Sequence, residues 1–341
     1  TAVVSTSSVF RDTTNWYHIV LALDTTQATA SNRVKIYVNG VQETLTFTTT
    51  PAQDSNLSVN YAGYGYLGRL SYSSQQFLDG YLAEVNFIDG TALTPTSFGE
   101  TKNGVWIPKA ISGLTYGTNG FRLTFADSSS LGDDTSGNGN DFSSYGLAST
   151  DVVPDSPTNN FCTLNALSGA NHNATLSEGN LKASGADQAR VGTFGMTSGK
   201  WYWEGRCGAI GGSNFIGIVR MDYTVKNQGS SHTYGRTYSN NGYLYIHDGS
   251  SSVNTSTTYT TGDKIGVAVD LDAGTIKWYK NGSEVSGSTI SDLNTHADGD
   301  QGWLPWTNFG NATGDFVLNF GQDSTFAGLE TAQGNTDGNG N

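Results

Sequence analysis

The sequence contains the same hairpin pattern twice, about a domain's length apart. Residues 33–40 read RVKIYVNG, and residues 275–282 read TIKWYKNG. Each follows an alternating apolar stretch that ends in aspartate, at 16–24 and at 264–272. Asn-Gly is the strongest short hairpin signal, because both turn positions need a positive φ. The repeat therefore predicts an antiparallel strand pair in each half of the chain, and with it a doubled architecture.

The alternation in these stretches predicts which side chains are buried. Val34, Ile36 and Val38 share one face of the first hairpin. In the second hairpin the predicted buried face consists of Ile265, Val267, Val269, Leu271, Ile276 and Trp278. We also expect the strand residues Trp201 and Trp203 in the core. With 44 glycines and 14% charged residues, the chain suits short strands joined by turns. The predicted fold class is all-β, with two tandem antiparallel β-sandwich (jelly-roll-like) domains.

The strand and turn signals divide the chain into four parts. Residues 1–110 form the first sandwich, and 111–170 form a bridging segment with a candidate strand for completing it. Residues 171–330 form the second sandwich, and 331–341 are a turn-rich tail. The first residue is not Met, and the opening TAVVSTSSVF lacks the charged start and apolar middle of a signal peptide. We expect both ends to be cuts in a longer polypeptide.

Charge and cysteine content narrow the function classes. The formal net charge of −13 repels phosphate backbones and anionic lipids, which argues against nucleic-acid binding. Membrane insertion is not expected, because no apolar run is long enough to cross a bilayer. Cys162 and Cys207 form no CxxC or Cys/His cluster, which disfavours zinc. We expect two unpaired thiols, with a single bridge between them as the alternative.

Two blocks of sequence resemble known sandwich families. WYHIVLALDTTQATASNRVKIYVNG followed by FLDGYLAEVNFIDGTALT resembles laminin-G-like, concanavalin A-like domains over about 16–95. GKWYWEGRC, FIGIVR, DKIGVAVDLDAGTIKWYKNG and FVLNFGQ resemble a SPRY domain across 199–322. The tandem, rich in Gly, Ser, Thr and Asn, is similar to bacteriophage tail fibre proteins, especially of marine phages.

The resemblance implies recognition and structural work rather than catalysis. It predicts a non-enzymatic virion fibre or appendage segment at the virion surface. Such a segment recognises a host-surface glycan or protein through sandwich loops. The implied partners are further copies of the chain, as a homotrimer, and other virion fibre proteins. The alternatives are a bacterial cell-surface adhesin, a purely structural decoration protein and a glycoside hydrolase.

Glycan binding needs aromatic faces for C–H patches and planar polar groups for hydroxyls. SPRY domains read partners through loops on one rim, so the resemblance favours the loops of the second sandwich. For Tyr234 and Tyr238 the sequence leaves binding and core packing equally open. The candidate ligand-binding residues are Asp222, Tyr223, His232, Tyr234, Arg236, Tyr238, Asn240, Tyr243, Trp303, Trp306 and Asn308.

A polar turn offers a candidate cation site. Oxygen ligands at alternating turn positions suit calcium, the one cofactor that the sequence suggests. The same residues also form turns by bonding their own backbone, so both interpretations stay open. The candidate ligands are Asp133, Asp134, Asn138, Asn140 and Asp141.

A sandwich glucanase would place three acids on one strand as ExDxxE. The nearest stretch is EVNFID, in which Asn86 replaces the middle acid and Asp89 the second glutamate after Glu84. A retaining mechanism needs two carboxyls about 5 Å apart, and this mismatch disfavours it. His18 lies in a strand, where packing and hydrogen bonding are expected rather than base catalysis.

Overall fold

The chain folds into two compact units, Thr1–Asn160 and Phe161–Asn341. The computed structural model describes residues 3–12, 15–57, 59, 65–69, 77–78, 80–168, 174–221, 235–246, 251–294, 302–310, 312–332 and 334. These residues contain strands and three short 3₁₀ helices, Ala30–Asn32, Pro95–Ser97 and Ser149–Asp151, but no α-helix. The predicted all-β class with antiparallel sandwiches is confirmed. No helix in the described part of the chain is long and apolar enough to span a membrane.

The first unit is built from small antiparallel sheets. Its strands are β1 (Val3–Thr6), β2 (Ile19–Leu23), β3 (Val34–Val38), β4 (Val41–Gln42), β5 (Leu45–Thr49), β6 (Val85–Phe87), β7 (Gly99–Lys102), β8 (Val105–Pro108) and β9 (Phe121–Leu123). The sheets are β2-β3-β4, β1-β5, β6-β9 and β7-β8. Since β9 pairs with β6, the segment after residue 110 supplies a strand to this unit.

The second unit consists of two larger sheets. Its strands are β10 (Thr175–Ser177), β11 (Lys182–Gly185), β12 (Gln188–Val191), β13 (Lys200–Cys207), β14 (Ser213–Arg220), β15 (Gly235–Ser239), β16 (Tyr243–Ile246), β17 (Ser251–Asn254), β18 (Lys264–Asp270), β19 (Thr275–Lys280), β20 (Ser283–Glu284), β21 (Trp303–Gly310) and β22 (Gly314–Asn319). One sheet has seven strands in the order β10-β11-β22-β13-β18-β19-β20. The other has six, in the order β12-β21-β14-β15-β16-β17.

Both predicted hairpins form, and both close in the same way. Asn39 and Gly40 have φ of 48° and 82°, while Asn281 and Gly282 have 49° and 82°. The side chain of each asparagine accepts a hydrogen bond of 2.8 Å from a strand amide, that of His18 in one unit and that of Lys264 in the other. Each asparagine therefore supplies the positive φ and also ties its turn to the preceding strand.

The core of the second unit lies between its two sheets. The apolar residues predicted to be buried on β18 and β19 pack against Ile216, Ile218 and Tyr238 of the six-stranded sheet. Trp278 is fully buried and donates its indole N–H to the Ile216 carbonyl at 3.0 Å. This bond links the sheets directly, so the sandwich is held by packing and by a buried polar contact.

The core position expected for Trp201 was wrong. Trp203 is buried, whereas 37% of Trp201 is exposed. Trp201 is the second residue of β13, and its indole N–H donates to the Ser198 carbonyl at 2.8 Å, outside the strand. Position at the end of a strand therefore outweighs the alternation that places both tryptophans on one face.

Both cysteines are unpaired and buried, as expected. Burial raises the pKa of Cys162 to about 11 and that of Cys207 to about 12. Thiols of this kind stay protonated at neutral pH and behave as small apolar side chains.

Candidate functional site

Several strands of the six-stranded sheet begin or end at the same end of the sheet. Strands β14 and β16 end there, and strands β15, β17 and β21 begin there. Loops on a rigid sheet are where binding residues concentrate in sandwich folds. We call this end of the sheet the rim and define it by the strand-end residues Arg220, Gly235, Ile246, Ser251 and Trp303.

A buried arginine holds the rim together. Arg236 is 1% exposed, and its Nε and Nη2 donate to the two carboxylate oxygens of Asp292 at 2.9 and 2.8 Å. Nη1 donates to the Gly235 carbonyl at 2.9 Å, and the guanidinium lies 5.8 Å from the centre of the Trp303 ring. Arg236 belongs to the six-stranded sheet, and Asp292 lies in the segment after β20, which a bridge between Ile290 and Ile276 attaches to the seven-stranded sheet. This bidentate pair therefore joins the two sheets next to the rim.

One exposed apolar side chain lies on the rim itself. Met221 directly follows β14 and is 43% exposed. A Cβ atom on Gly195 would lie 2.7 Å from its Cε, and one on Gly302 would lie 2.9 Å from its sulfur. The Met221 amide donates to the Gly302 carbonyl at 3.0 Å. The two glycines thus make room for a flexible side chain that is suited to contact a partner.

The loop positions expected for Arg236 and Tyr238 were wrong, and the structure buries five of the candidate residues. Arg236 and Tyr238 lie in β15, and Trp303, Trp306 and Asn308 lie in β21. All five are buried, and Tyr238 donates its hydroxyl to the Thr257 carbonyl. Buried side chains offer no surface to a ligand, so these five residues are not direct ligand contacts.

The stretch GWLPWTNFG forms strand β21 although it contains a proline and an asparagine, which are uncommon inside strands. The strand nevertheless runs through Pro305, whose carbonyl accepts the Gly192 amide at 2.7 Å. β21 is eight residues long and paired on both sides, so its other ladder hydrogen bonds outweigh the one that Pro305 cannot donate.

Of the other predicted ligand-binding residues, the two that the structure describes lie away from the rim. Asn240 and Tyr243 flank the turn between β15 and β16, which lies at the opposite end of the sheet. Asn240 accepts the Asn214 amide at 2.9 Å and therefore fixes that turn. Four predicted residues lie outside the described part of the chain: Asp222, Tyr223, His232 and Tyr234.

In the candidate cation turn, protein donors surround a carboxylate. Asp134 is buried and accepts the Arg122, Ser136 and Asn140 amides at 2.8–2.9 Å, together with the Ser136 hydroxyl. The Asp141 carboxylate accepts the Asp134 amide at 2.9 Å. Asn138 and Asn140 point their amide groups at carbonyls of residues 117–120. Asp133 is exposed. These contacts favour the turn-forming interpretation of the five residues.

No group of three or more His, Cys, Asp or Glu side chains that could hold a metal occurs among the described residues.

The Asp134 carboxylate makes the stability of the first unit sensitive to acid. Burial raises its pKa, but the hydrogen bonds outweigh burial and lower it from 3.8 to about 2. The unfolded chain therefore binds the proton first, so this contribution is complete above about pH 4 and is lost as the pH falls towards 2. We expect Asp134→Ala to cost about 2 kcal/mol at pH 7, measured by urea unfolding, and to flatten that acid limb.

Asp133→Ala is the matched control for this experiment and should change neither quantity, since its side chain is exposed. Added Ca²⁺ should leave the wild-type midpoint unchanged. A calcium-dependent rise in stability that Asp134→Ala abolishes would contradict the turn-forming role and establish the cation site.

The acids of the EVNFID stretch make structural contacts. Glu84 accepts Arg122 Nε at 2.7 Å in an ion pair. Asn86 accepts the Tyr116 hydroxyl at 2.8 Å, and Asp89 accepts the backbone and side-chain N–H groups of Asn119 at 3.1 and 2.9 Å. Each acid therefore already binds protein donors.

His18 is packed and hydrogen-bonded, as expected. Its Nδ1 accepts the Trp106 indole N–H at 3.0 Å, and the two rings stack with centroids 5.8 Å apart. Burial lowers the pKa of His18, which keeps the imidazole neutral and able to accept this bond.

Comparisons with known proteins agree with the two-unit organisation. The model of the concanavalin A-like lectin/glucanase superfamily matches residues 1–97, and that of the SPRY domain matches 200–322. Comparison with curated protein sequences gives no match.

Three solved structures illustrate the structural likeness. The SPRY domain of human HERC1 is 21% identical, with a TM-score of 0.33, covering 40% of this chain and 87% of that one. Stonustoxin is 22% identical, with a TM-score of 0.34, and the match covers 47% of this chain and 27% of that one. The TRIM65 PSpry domain is 14% identical, with a TM-score of 0.36, and the match covers 47% of this chain and 92% of that one.

The chain therefore carries two matched segments in tandem, a concanavalin A-like lectin/glucanase segment followed by a SPRY segment.

Proposed function

We propose that the chain is a non-enzymatic attachment segment whose second unit recognises a host-surface glycan or protein at the rim. The observation that carries this proposal is the convergence of strand ends on one edge of the six-stranded sheet, above the Arg236–Asp292 pair. A braced edge loses little conformational freedom when a partner binds. Binding energy is therefore spent on the contact rather than on ordering the site.

Met221 gives this rim an apolar contact point. Binding surfaces commonly place a few apolar anchors inside a polar surround. Exposed at 43% beside the buried Arg220 and Trp303, Met221 has the position of such an anchor. The thioether adapts to different partner shapes, which suits a surface that contacts either a sugar ring or a peptide.

The wider setting that we propose is a bacteriophage tail fibre or a related virion-surface appendage, assembled as a homotrimer with other fibre proteins. The tandem of sandwich segments and the net charge of −13 support this setting, because acidic surfaces keep crowded copies soluble. Several copies on one axis multiply a weak contact. Sedimentation equilibrium of the full chain should give three times the mass of one chain.

A binding role without catalysis is supported by the contacts of Glu84 and Asp89. Both carboxylates accept hydrogen bonds from protein donors, and Glu84 is neutralised by Arg122. A glycoside hydrolase needs one free nucleophilic or basic carboxylate and one protonated acid facing a shared cleft.

The test of the rim is Met221→Glu. We expect at least a tenfold loss of binding when the full chain is applied to arrays of bacterial surface polysaccharides and cell-surface proteins, because a carboxylate replaces an apolar anchor. Leu329→Glu is the matched control, since Leu329 is also an exposed apolar residue of the second unit. Equal binding by wild type and Met221→Glu would remove the rim from the account. Absence of binding by the wild type would favour a purely structural role.

A further inference from the structure

The outer face of the seven-stranded sheet carries two neighbouring tyrosines. In the register of β13, β18 and β19, Tyr202 lies opposite Ala268, and Gly266 lies opposite Tyr279. The middle strand thus contributes only small side chains between the two aromatic residues. The rings meet edge to face, with centroids 6.3 Å apart and planes at 74°.

The Tyr202 ring is fixed but remains open to solvent. A Cβ atom on Gly266 would lie 2.3 Å from its hydroxyl oxygen, so the ring extends across the backbone of β18. Its hydroxyl donates to Glu204 Oε1 at 2.8 Å. The side chain is nevertheless 53% exposed. Because the ring is already held and one of its sides is open to solvent, little conformational entropy is lost when a ligand binds to it.

Two ion pairs and one further carboxylate surround the tyrosines. Lys277 binds Glu284 at 3.3 Å on one side, and Lys200 binds Asp270 at 3.0 Å on another. Glu204 is occupied by the tyrosine hydroxyl. Besides the two ion pairs, Glu204 adds one negative charge, so the surface disfavours an anionic ligand and offers hydrogen-bonding groups to an uncharged one.

The other end of this face is covered. Glu330 accepts Arg206 Nε at 2.6 Å and Lys264 Nζ at 3.0 Å, so the C-terminal segment lies across that end. Tyr202 lies four residues before Arg206 on β13, away from this covered part, and is 53% exposed.

We propose that Tyr202 and Tyr279 form a second binding site, separate from the rim, for the pyranose ring of a neutral glycan. The free side of an aromatic ring covers the C–H face of a sugar, while the polar ends of Glu204, Lys277 and Glu284 pair with its hydroxyls. An anionic glycan or an acidic peptide lacks this match, because Lys200 and Lys277 are already paired and Glu204 leaves one negative charge in excess.

The experiment compares the full chain with Tyr202→Ala on neutral oligosaccharides (maltoheptaose, cellohexaose and mannan fragments) and on anionic ones of equal length. NMR spectra of tyrosine-labelled protein follow the binding. We expect a neutral oligosaccharide to shift the Tyr202 and Tyr279 ring signals, and Tyr202→Ala to weaken binding at least tenfold. Tyr202→Phe should bind within about threefold of wild type, because the ring is kept.

Tyr145→Ala is the matched control, since Tyr145 is an exposed tyrosine in the first unit, and it should bind like wild type. Met221→Glu should also leave these shifts intact, so failure here is distinguishable from failure of the rim. The proposal is overturned if none of the neutral oligosaccharides shifts these signals at millimolar concentration, or if the anionic ones bind more tightly.

Discussion

Replacing Arg236 with alanine is expected to lower the free energy of unfolding of the second unit by about 3 kcal/mol. Arg236 is buried and bonds both carboxylate oxygens of Asp292, so its removal leaves a cavity and takes two hydrogen bonds from that carboxylate. Asp292 retains some contact with water, which places the cost at the lower end of the range for a broken buried ion pair. Urea unfolding followed by tryptophan fluorescence measures the effect, because five of the seven tryptophans lie in this unit.

Double substitution separates the charge from the packing. Arg236→Met with Asp292→Leu should recover most of the lost stability, since apolar residues of similar size often replace a buried ion pair at little cost. Lys200→Ala breaks an exposed pair and should leave the unfolding midpoint unchanged. If Arg236→Ala behaved like Lys200→Ala, the two sheets would not be joined at the rim as described.

Trp278→Ala is expected to destabilise the second unit by about 3–5 kcal/mol. Its side chain is fully buried between the sheets, and its indole N–H satisfies the Ile216 carbonyl. The variant therefore creates a large cavity and also removes the indole hydrogen bond between the sheets. Trp278→Phe keeps most of the volume and should cost about 1–3 kcal/mol, mainly through the lost hydrogen bond.

Trp201→Ala provides the comparison, because it is the same substitution on β13 of the same sheet, at a residue that is 37% exposed. We expect less than half of the loss seen for Trp278→Ala, measured under the same urea conditions. Equal losses at the two positions would mean that Trp201 belongs to the core, as its alternation first suggested.

The fold followed from local signals that physical chemistry makes unambiguous. Asn39 and Asn281 each precede a glycine, and only a type I′ turn uses that pair so well. The alternation from Ile265 to Val269 left one face apolar, and that face became the core. Such signals act over a few residues, and tertiary contacts reinforce them.

The site was harder to predict because it depends on which strand ends meet. Arg236 was expected in a binding loop but lies in the paired strand β15. Trp303 lies opposite Arg220, a pairing partner that is far away in sequence. Met221 carried no signal of its own. Its exposure depends on Gly195 and Gly302, whose closeness to it exists only in the folded chain. The exposure of Met221 at the end of β14 therefore depends on tertiary contacts.

Hydrogen–deuterium exchange of the full chain, with and without the tightest-binding compound from the arrays, tests recognition at the rim most directly. The account predicts slowed exchange at the amides of Met221 and Trp303 and at the adjoining ends of β14, β15 and β21, with the first unit unchanged. Slowed exchange confined to the first unit would contradict it.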